Sequence, residues 1–90
     1  MKLLFAEDDR DISKAVSTVL RGQNYTVDTV FTGTDAYAYI SGGEYDGEIL
    51  DIMMPGMDGL EVLRRLRREG NGTPVLLLTA RGELEDRVAG

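Results

Sequence analysis

The sequence predicts an α/β fold built on a parallel β-sheet, and three observations support this. Short apolar runs alternate with amphipathic segments along the 90 residues, which gives the order βαβαβαβα. This alternation favours parallel strands joined by right-handed helical crossovers. Val75 to Thr79 is an almost continuous apolar run, as is typical of a strand covered on both faces. Acidic residues follow the first and third strands, at the sheet edge where such folds carry their sites.

The first half of the chain contains two strand–helix units. Leu3 to Ala6 is the first strand, and Asp9 or Asp11 caps a helix that ends at Gly22. Tyr25 to Phe31 is rich in β-forming residues and is the second strand. Apolar residues recur at helical spacing in the first helix and are expected to form one stripe: Ile12, Ala15, Val16, Val19 and Leu20.

The next unit consists of a second helix and a third strand. Thr32 to Asp35 opens the helix, with Ala36 and Ile40 on one face, and Gly42-Gly43 closes it. The third strand covers about Glu48 to Ile52.

The last unit begins with a third helix from Gly59 to about Glu69, with Leu60, Leu63 and Leu66 inward. The arginines of this helix are expected to form a solvated face. A loop, Gly70 to Pro74, leads to the Val75–Thr79 strand, and Glu83 to Ala89 starts a fourth helix.

Composition excludes several classes of function. The chain has no histidine, which excludes imidazole catalysis, and no cysteine, which excludes disulfides and a thiolate zinc site. The net charge of −6 argues against direct nucleic-acid binding by this segment. No apolar stretch is long enough to span a membrane, and the N-terminus does not resemble a signal peptide, so we expect a cytoplasmic protein without membrane contact. The length suits one domain.

Two acidic motifs follow strands that would be neighbours in a parallel sheet. Glu7-Asp8-Asp9 ends the first strand, and Asp51 lies at the end of the third. Clustered carboxylates suit a hard cation and chemistry at one carboxylate. Each acid also has an ordinary structural interpretation, because aspartates commonly cap helices and form turns at strand ends.

The combined motifs resemble the receiver domain of bacterial two-component response regulators. The matching segments are Glu7-Asp8-Asp9, Leu50 to Gly59, and Leu78-Thr79-Ala80-Arg81, and their order and spacing agree with that family. Thr79-Ala80-Arg81 and Glu85 to Gly90 are similar to the branch with a C-terminal winged-helix DNA-binding domain. The resemblance implies a flavodoxin-like, doubly wound sheet of order 2-1-3-4. Residues 1–90 would then be an incomplete receiver that stops within helix four and lacks the family's fifth strand and fifth helix.

The resemblance also implies a set of functional residues. Asp51 would accept a phosphoryl group from a sensor histidine kinase, and the Thr79 hydroxyl would hydrogen-bond that group and switch the loop after strand four. Glu7, Asp8, Asp51 and the backbone carbonyl of Met53 would bind Mg²⁺. The chain would then switch a transcription-regulating effector domain that lies outside it. It would not be an enzyme, apart from weak self-catalysed phosphorylation and dephosphorylation.

Three alternatives compete with this interpretation. A truncated or domain-swapped receiver fragment could not signal, because the family's phosphate-binding lysine follows the fifth strand; its open edge predicts a homodimer or swapped oligomer. A haloacid-dehalogenase-type phosphatase needs a second aspartate where this chain has Met53. A flavodoxin needs a phosphate-binding loop where Glu7-Asp8-Asp9 would repel phosphate.

Glu48 conflicts with the rest of the pattern. It lies within a strand that should be covered on both faces, where the resembled family has an aliphatic residue. A buried carboxylate without a partner is costly, so the sequence predicts that Glu48 destabilises the fold and has no catalytic role.

Overall fold

The computed structural model describes residues 1–78 in full and the backbone of Leu84–Glu85. The sheet order is β2-β1-β3-β4-β5, and the first four strands are parallel. This confirms the predicted α/β class and the order 2-1-3-4. The elements are β1 (Lys2–Ala6), α1 (Arg10–Gly22), β2 (Thr26–Val30), α2 (Gly33–Gly42), β3 (Gly47–Asp51), α3 (Gly59–Arg68), β4 (Val75–Leu78) and β5 (Leu84–Glu85).

The outer edge of β4 differs from the sequence prediction. Leu84–Glu85 form a short strand that pairs antiparallel with β4, so the helix predicted from Glu83 to Ala89 is wrong at these two positions. The remainder of that helix, and Thr79, lie outside the described residues. An unpaired strand edge exposes backbone donors and acceptors, and β5 satisfies part of the edge of β4.

Each helix begins at a side chain that accepts hydrogen bonds from its first turn. Asp9 accepts from the amides of Asp11 and Ile12, Thr32 caps α2, and Asp58 caps α3. Such caps stabilise a helix start by about 1 kcal/mol each. Asp9, and not Asp11, is therefore the cap of the first helix.

The main core lies between one face of the sheet and helices α2 and α3. Leu4, Leu50 and Leu77 come from alternate positions of three adjacent strands and are fully buried. The helices contribute Ala36 and Ile40 from α2, and Val62, Leu63 and Leu66 from α3. The predicted inward residues of these helices are confirmed, except that Leu60 is only partly buried.

Helix α1 covers the opposite face of the sheet, and its predicted apolar stripe lies only partly on the side that it buries. Ser13 and Ser17 are the buried residues of α1, whereas Ile12 is 46% exposed and Val19 is 65% exposed. Helix α1 packs against β1 and β2, where Phe5 and Val27 are buried outside the main core. Val16 and Leu20 of the stripe are half-buried, so only part of the apolar side of α1 is open to solvent.

Within the described ranges, no helix is both long enough and apolar enough to cross a lipid bilayer.

Candidate functional site

Three carboxylates lie together at the carboxyl ends of the two central strands. β1 ends at Ala6, directly before Glu7 and Asp8, and Asp51 is the last residue of the adjacent β3. One carboxylate oxygen from each of the three acids lies within 4.8 Å of the others. The parallel pairing of β1 with β3 produces this cluster, as the sequence predicted.

Asp51 is buried at the centre of the cluster, with 7% of its surface exposed. Its Oδ1 accepts a hydrogen bond from the Met53 amide at 3.2 Å. The next amide, of Ile52, donates to the Leu78 carbonyl of β4 at 2.8 Å, which fixes the backbone on which Asp51 stands. Burial raises the pKa of Asp51 and nearby Asp8 raises it further, although the Met53 amide opposes the change.

Glu7 is also buried, and it is anchored at both its backbone and its side chain. Its amide donates to the Val30 carbonyl of β2 at 3.1 Å, and its Oε2 accepts from the Asp9 amide at 2.9 Å. Burial, with contributions from Asp8 and Asp51, raises the pKa of Glu7 to about 7. Without a cation, both buried acids therefore hold a proton more tightly than a solvent-exposed carboxyl group does.

The electrostatics of the cluster suit a small divalent cation. Buried acids with raised pKa values favour their ionised forms once an opposite charge lies between them. Mg²⁺ takes oxygen ligands, binds through one or two carboxylates and retains several waters. Asp8 is exposed, so one side of the cluster is open to water and to an incoming ligand. The donor set present therefore fits Mg²⁺.

The loop after Asp51 forms the floor of an open cleft beside the acids. The cleft is lined by Asp8, Met53, Met54, Pro55 and Asp58. Met53 is exposed, and its carbonyl remains a predicted ligand. Gly56 has φ +79°, the left-handed geometry that glycine adopts without strain.

Two glycines at helix starts lie very close to this loop or to the strand end before it. An added Cβ at Gly33, the first residue of α2, would lie 1.5 Å from the Met57 carbonyl oxygen. At Gly59, the first residue of α3, it would lie 2.5 Å from the Asp51 carbonyl oxygen. From the sequence, both glycines were placed only at helix starts, and neither close contact was predicted. A glycine directly after a helix cap was the available signal.

Comparison with known proteins agrees with this geometry. Residues 3–90 match the family described as "Response regulator receiver domain". The chain is 47% identical over its whole length to the transcriptional regulatory protein TcrA of Mycobacterium tuberculosis. It is 48% identical to the transcriptional regulatory protein TctD of Salmonella typhimurium. It spans 36% and 40% of the length of these two relatives.

Solved structures show the same fold. The receiver domain of the Francisella response regulator 1452 superposes with a TM-score of 0.87 at 33% identity, over 91% of this chain and 68% of that one. The response regulator TrrA of Thermotoga maritima, solved in complex with Mg(2+)-BeF, superposes with a TM-score of 0.83 at 35% identity, over 88% of this chain and 69% of that one. From its acid cluster, its sheet order and these matches, the chain belongs to the response regulator receiver domain family.

Proposed function

We propose that this chain is a phosphorylation switch in which Asp51 accepts a phosphoryl group from a sensor histidine kinase in a Mg²⁺-dependent reaction. The observation that carries the proposal is the position of the Asp51 carboxylate. It ends a central strand, and one of its oxygens lies within 4.8 Å of one oxygen each from Glu7 and Asp8. A lone structural aspartate would not require two further buried or adjacent acids.

Glu7, Asp8, Asp51 and the Met53 carbonyl would hold the cation. When bound, Mg²⁺ supplies positive charge that screens the donor phosphate from the carboxylates. Its binding to the receiver fold is supported by the TrrA complex and by the raised pKa values of Glu7 and Asp51.

The protein's own contribution is to present one carboxylate in a fixed orientation. The Met53 amide holds Oδ1 of Asp51, while the pairing of Ile52 with Leu78 fixes the backbone. An Asp51 oxygen forms a bond to phosphorus as the bond between phosphorus and the donor breaks, which gives an acyl phosphate. The Thr79 hydroxyl would then bind a phosphoryl oxygen and move the loop that follows β4.

The phosphorylated chain would act on a separate effector domain and would not act as an enzyme on other substrates. TcrA and TctD are named as transcriptional regulatory proteins, and each is more than twice as long as this chain. We therefore propose that a DNA-binding domain of the parent protein supplies regulation of transcription in the cytoplasm. The net charge of −6 makes DNA binding by the receiver itself unfavourable.

One observation favours a second candidate, a receiver that associates with a second copy of this chain, for example by domain swapping. On the sheet face that carries α1, the side chains of Leu3, Ile49 and Leu76 are only half-buried and line an apolar groove. Ile12 and Val19 of α1 are further exposed apolar side chains. Such surfaces promote association, so we expect a homodimer or swapped oligomer. Light scattering coupled to gel filtration should show at least twice the 9.9 kDa chain mass, and a monomer would refute this candidate.

The primary proposal is tested by locating the phosphoryl group. After treatment with acetyl phosphate and Mg²⁺, borohydride trapping and peptide mass mapping should place the acyl phosphate on Asp51 alone. Asp58 is the matched internal control, because it lies beside the same cleft but caps α3. Label on Asp8 or Asp58 with Asp51 unmodified would contradict the proposal.

A further inference from the structure

The first residue of α3 lies directly against the backbone of the proposed phosphoryl acceptor. Gly59 donates its amide proton to the Ile52 carbonyl at 3.0 Å. An added Cβ would lie 2.5 Å from the Asp51 carbonyl oxygen and 3.0 Å from both the Asp51 carbonyl carbon and the Ile52 Cα. Gly59 has no positive φ. Glycine is therefore required at this position for space and not for backbone conformation.

Neither partner in this contact can retreat at low cost. Helix α3 is held in the core by Val62, Leu63 and Leu66, which are buried. The Asp51–Ile52 peptide is held from the other side by the bond between the Ile52 amide and the Leu78 carbonyl, at 2.8 Å. An added methyl group would therefore shift the end of β3, because well-packed helices resist displacement.

A shift of Asp51 would not be shared by the other acids. Glu7 and Asp8 stand on β1, and the Glu7 amide is bonded to Val30 of β2. The separation between Asp51 and these two acids would change, even though all three carboxylates would remain. Metal sites are sensitive to such displacements, because the orientation of the ligands sets affinity.

We propose that Gly59 is a positioning residue for the acid cluster: its missing side chain lets α3 abut the Asp51–Ile52 peptide and fixes Asp51 relative to Glu7 and Asp8. The inference rests on the proposed function of that cluster. Gly33 makes a tighter contact at the far end of the same loop, where an added Cβ would lie 1.5 Å from the carbonyl oxygen of Met57, a residue outside the predicted ligand set. Alanine at the two positions therefore separates displacement of the far end of the loop from displacement of Asp51.

The test compares three glycine-to-alanine variants, all measured in 1 M trimethylamine N-oxide, which favours the folded state. Gly59→Ala should weaken Mg²⁺ binding in titration calorimetry by about tenfold or more. It should also speed hydrogen exchange of the Met53 amide, which donates to Asp51. Gly33→Ala should lose stability, yet keep its Mg²⁺ affinity within about threefold of the wild type. An added Cβ at Gly42 meets nothing within 4 Å, so Gly42→Ala should change neither the Mg²⁺ affinity nor the exchange of the Met53 amide.

Three results would overturn the inference. The first is that Gly59→Ala leaves both the Mg²⁺ affinity and the hydrogen exchange of the Met53 amide unchanged. The second is that Gly59→Ala and Gly33→Ala lose Mg²⁺ affinity equally. The third is that Gly59→Ala fails to fold, which would assign the glycine to stability. If the wild type shows no Mg²⁺ saturation, the proposed function fails instead. Met53 exchange needs no metal and would still decide the role of Gly59.

Discussion

Strand β3 carries two buried carboxylates three residues apart, and they have opposite surroundings. Asp51 ends the strand beside two other acids and an open cleft. Glu48 is 3% exposed, lies in register with Leu4 and Val75, and points to the apolar face covered by α2 and α3. Burial raises the pKa of both groups. The pKa shift therefore does not distinguish a functional acid from a structural one, whereas the neighbouring groups do.

Within residues 1–78, Oε1 of Glu48 has no hydrogen-bond partner. Arg67 partly offsets the rise in its pKa, which still reaches about 7 because of burial. The Arg67 Nη1 donates hydrogen bonds to the carbonyls of Asn71 and Thr73, so Arg67 also binds the loop before β4. Burial raises the pKa of Tyr45, and the charge of Glu48 adds a smaller contribution. The Tyr45 hydroxyl donates a hydrogen bond to Asp28 at 2.7 Å.

The largest effect is expected on Mg²⁺ binding, which should depend on the acid cluster around Asp51 and not on Glu48. The wild-type chain should show weak but saturable Mg²⁺ binding in titration calorimetry, and Asp8→Ala should abolish it by removing a ligand from the cluster. Glu48→Ile should bind Mg²⁺ as the wild type does, because Glu48 lies outside the cluster. Wild-type affinity in Asp8→Ala, or loss of binding in Glu48→Ile, would break the comparison.

The next effect concerns stability. Glu48→Ile should raise the free energy of unfolding at pH 8 by about 1–3 kcal/mol, because it removes a buried carboxylate that lacks a full set of partners. Urea denaturation measures this change. Glu44→Ile, at an exposed position nearby, is the control for added hydrophobicity and should change stability little. A lower unfolding free energy for Glu48→Ile would show that the carboxylate stabilises the fold.

A smaller effect appears in the pH dependence of stability. A carboxyl group with a raised pKa keeps its proton in the folded chain where the unfolded chain releases it, so stability falls as pH rises from about 4.5 to about 7. Glu48→Gln should reduce this fall, by on the order of 2 kcal/mol, without removing the part due to Glu7. Thermal unfolding of the metal-free protein at pH 5 and pH 8 would measure it, and an unchanged pH dependence would contradict the assigned burial of Glu48.

Sequence patterns predicted the sheet and the acid cluster because both follow from local order. Alternating elements imply parallel strands, and parallel strands bring Glu7 and Asp51 to one edge. The orientation of α1 was not predictable in this way. Helical spacing shows which residues share a side, but Ser13 and Ser17, and not Ile12 and Val19, face the sheet.

Two further features depend on distances that a sequence does not contain. The requirement for glycine at position 59 comes from the approach of α3 to Asp51, which depends on how the helix packs. The strand at Leu84–Glu85 pairs with the free edge of β4, and this tertiary contact outweighs the local helical pattern. Glu48 was identified as anomalous from its position in an apolar strand, and its burial confirms that concern.

The most direct test of the contrast follows both carboxyl groups in one sample. Carbon-13 NMR of carboxyl-labelled Asp and Glu residues, titrated from pH 4 to pH 9 with and without Mg²⁺, reports each group separately. We expect Mg²⁺ to move the Asp51 resonance and lower its pKa, while Glu48 titrates near pH 7 in both conditions. A Mg²⁺ response at Glu48, or none at Asp51, would contradict the assignment of Asp51 as the functional acid of β3.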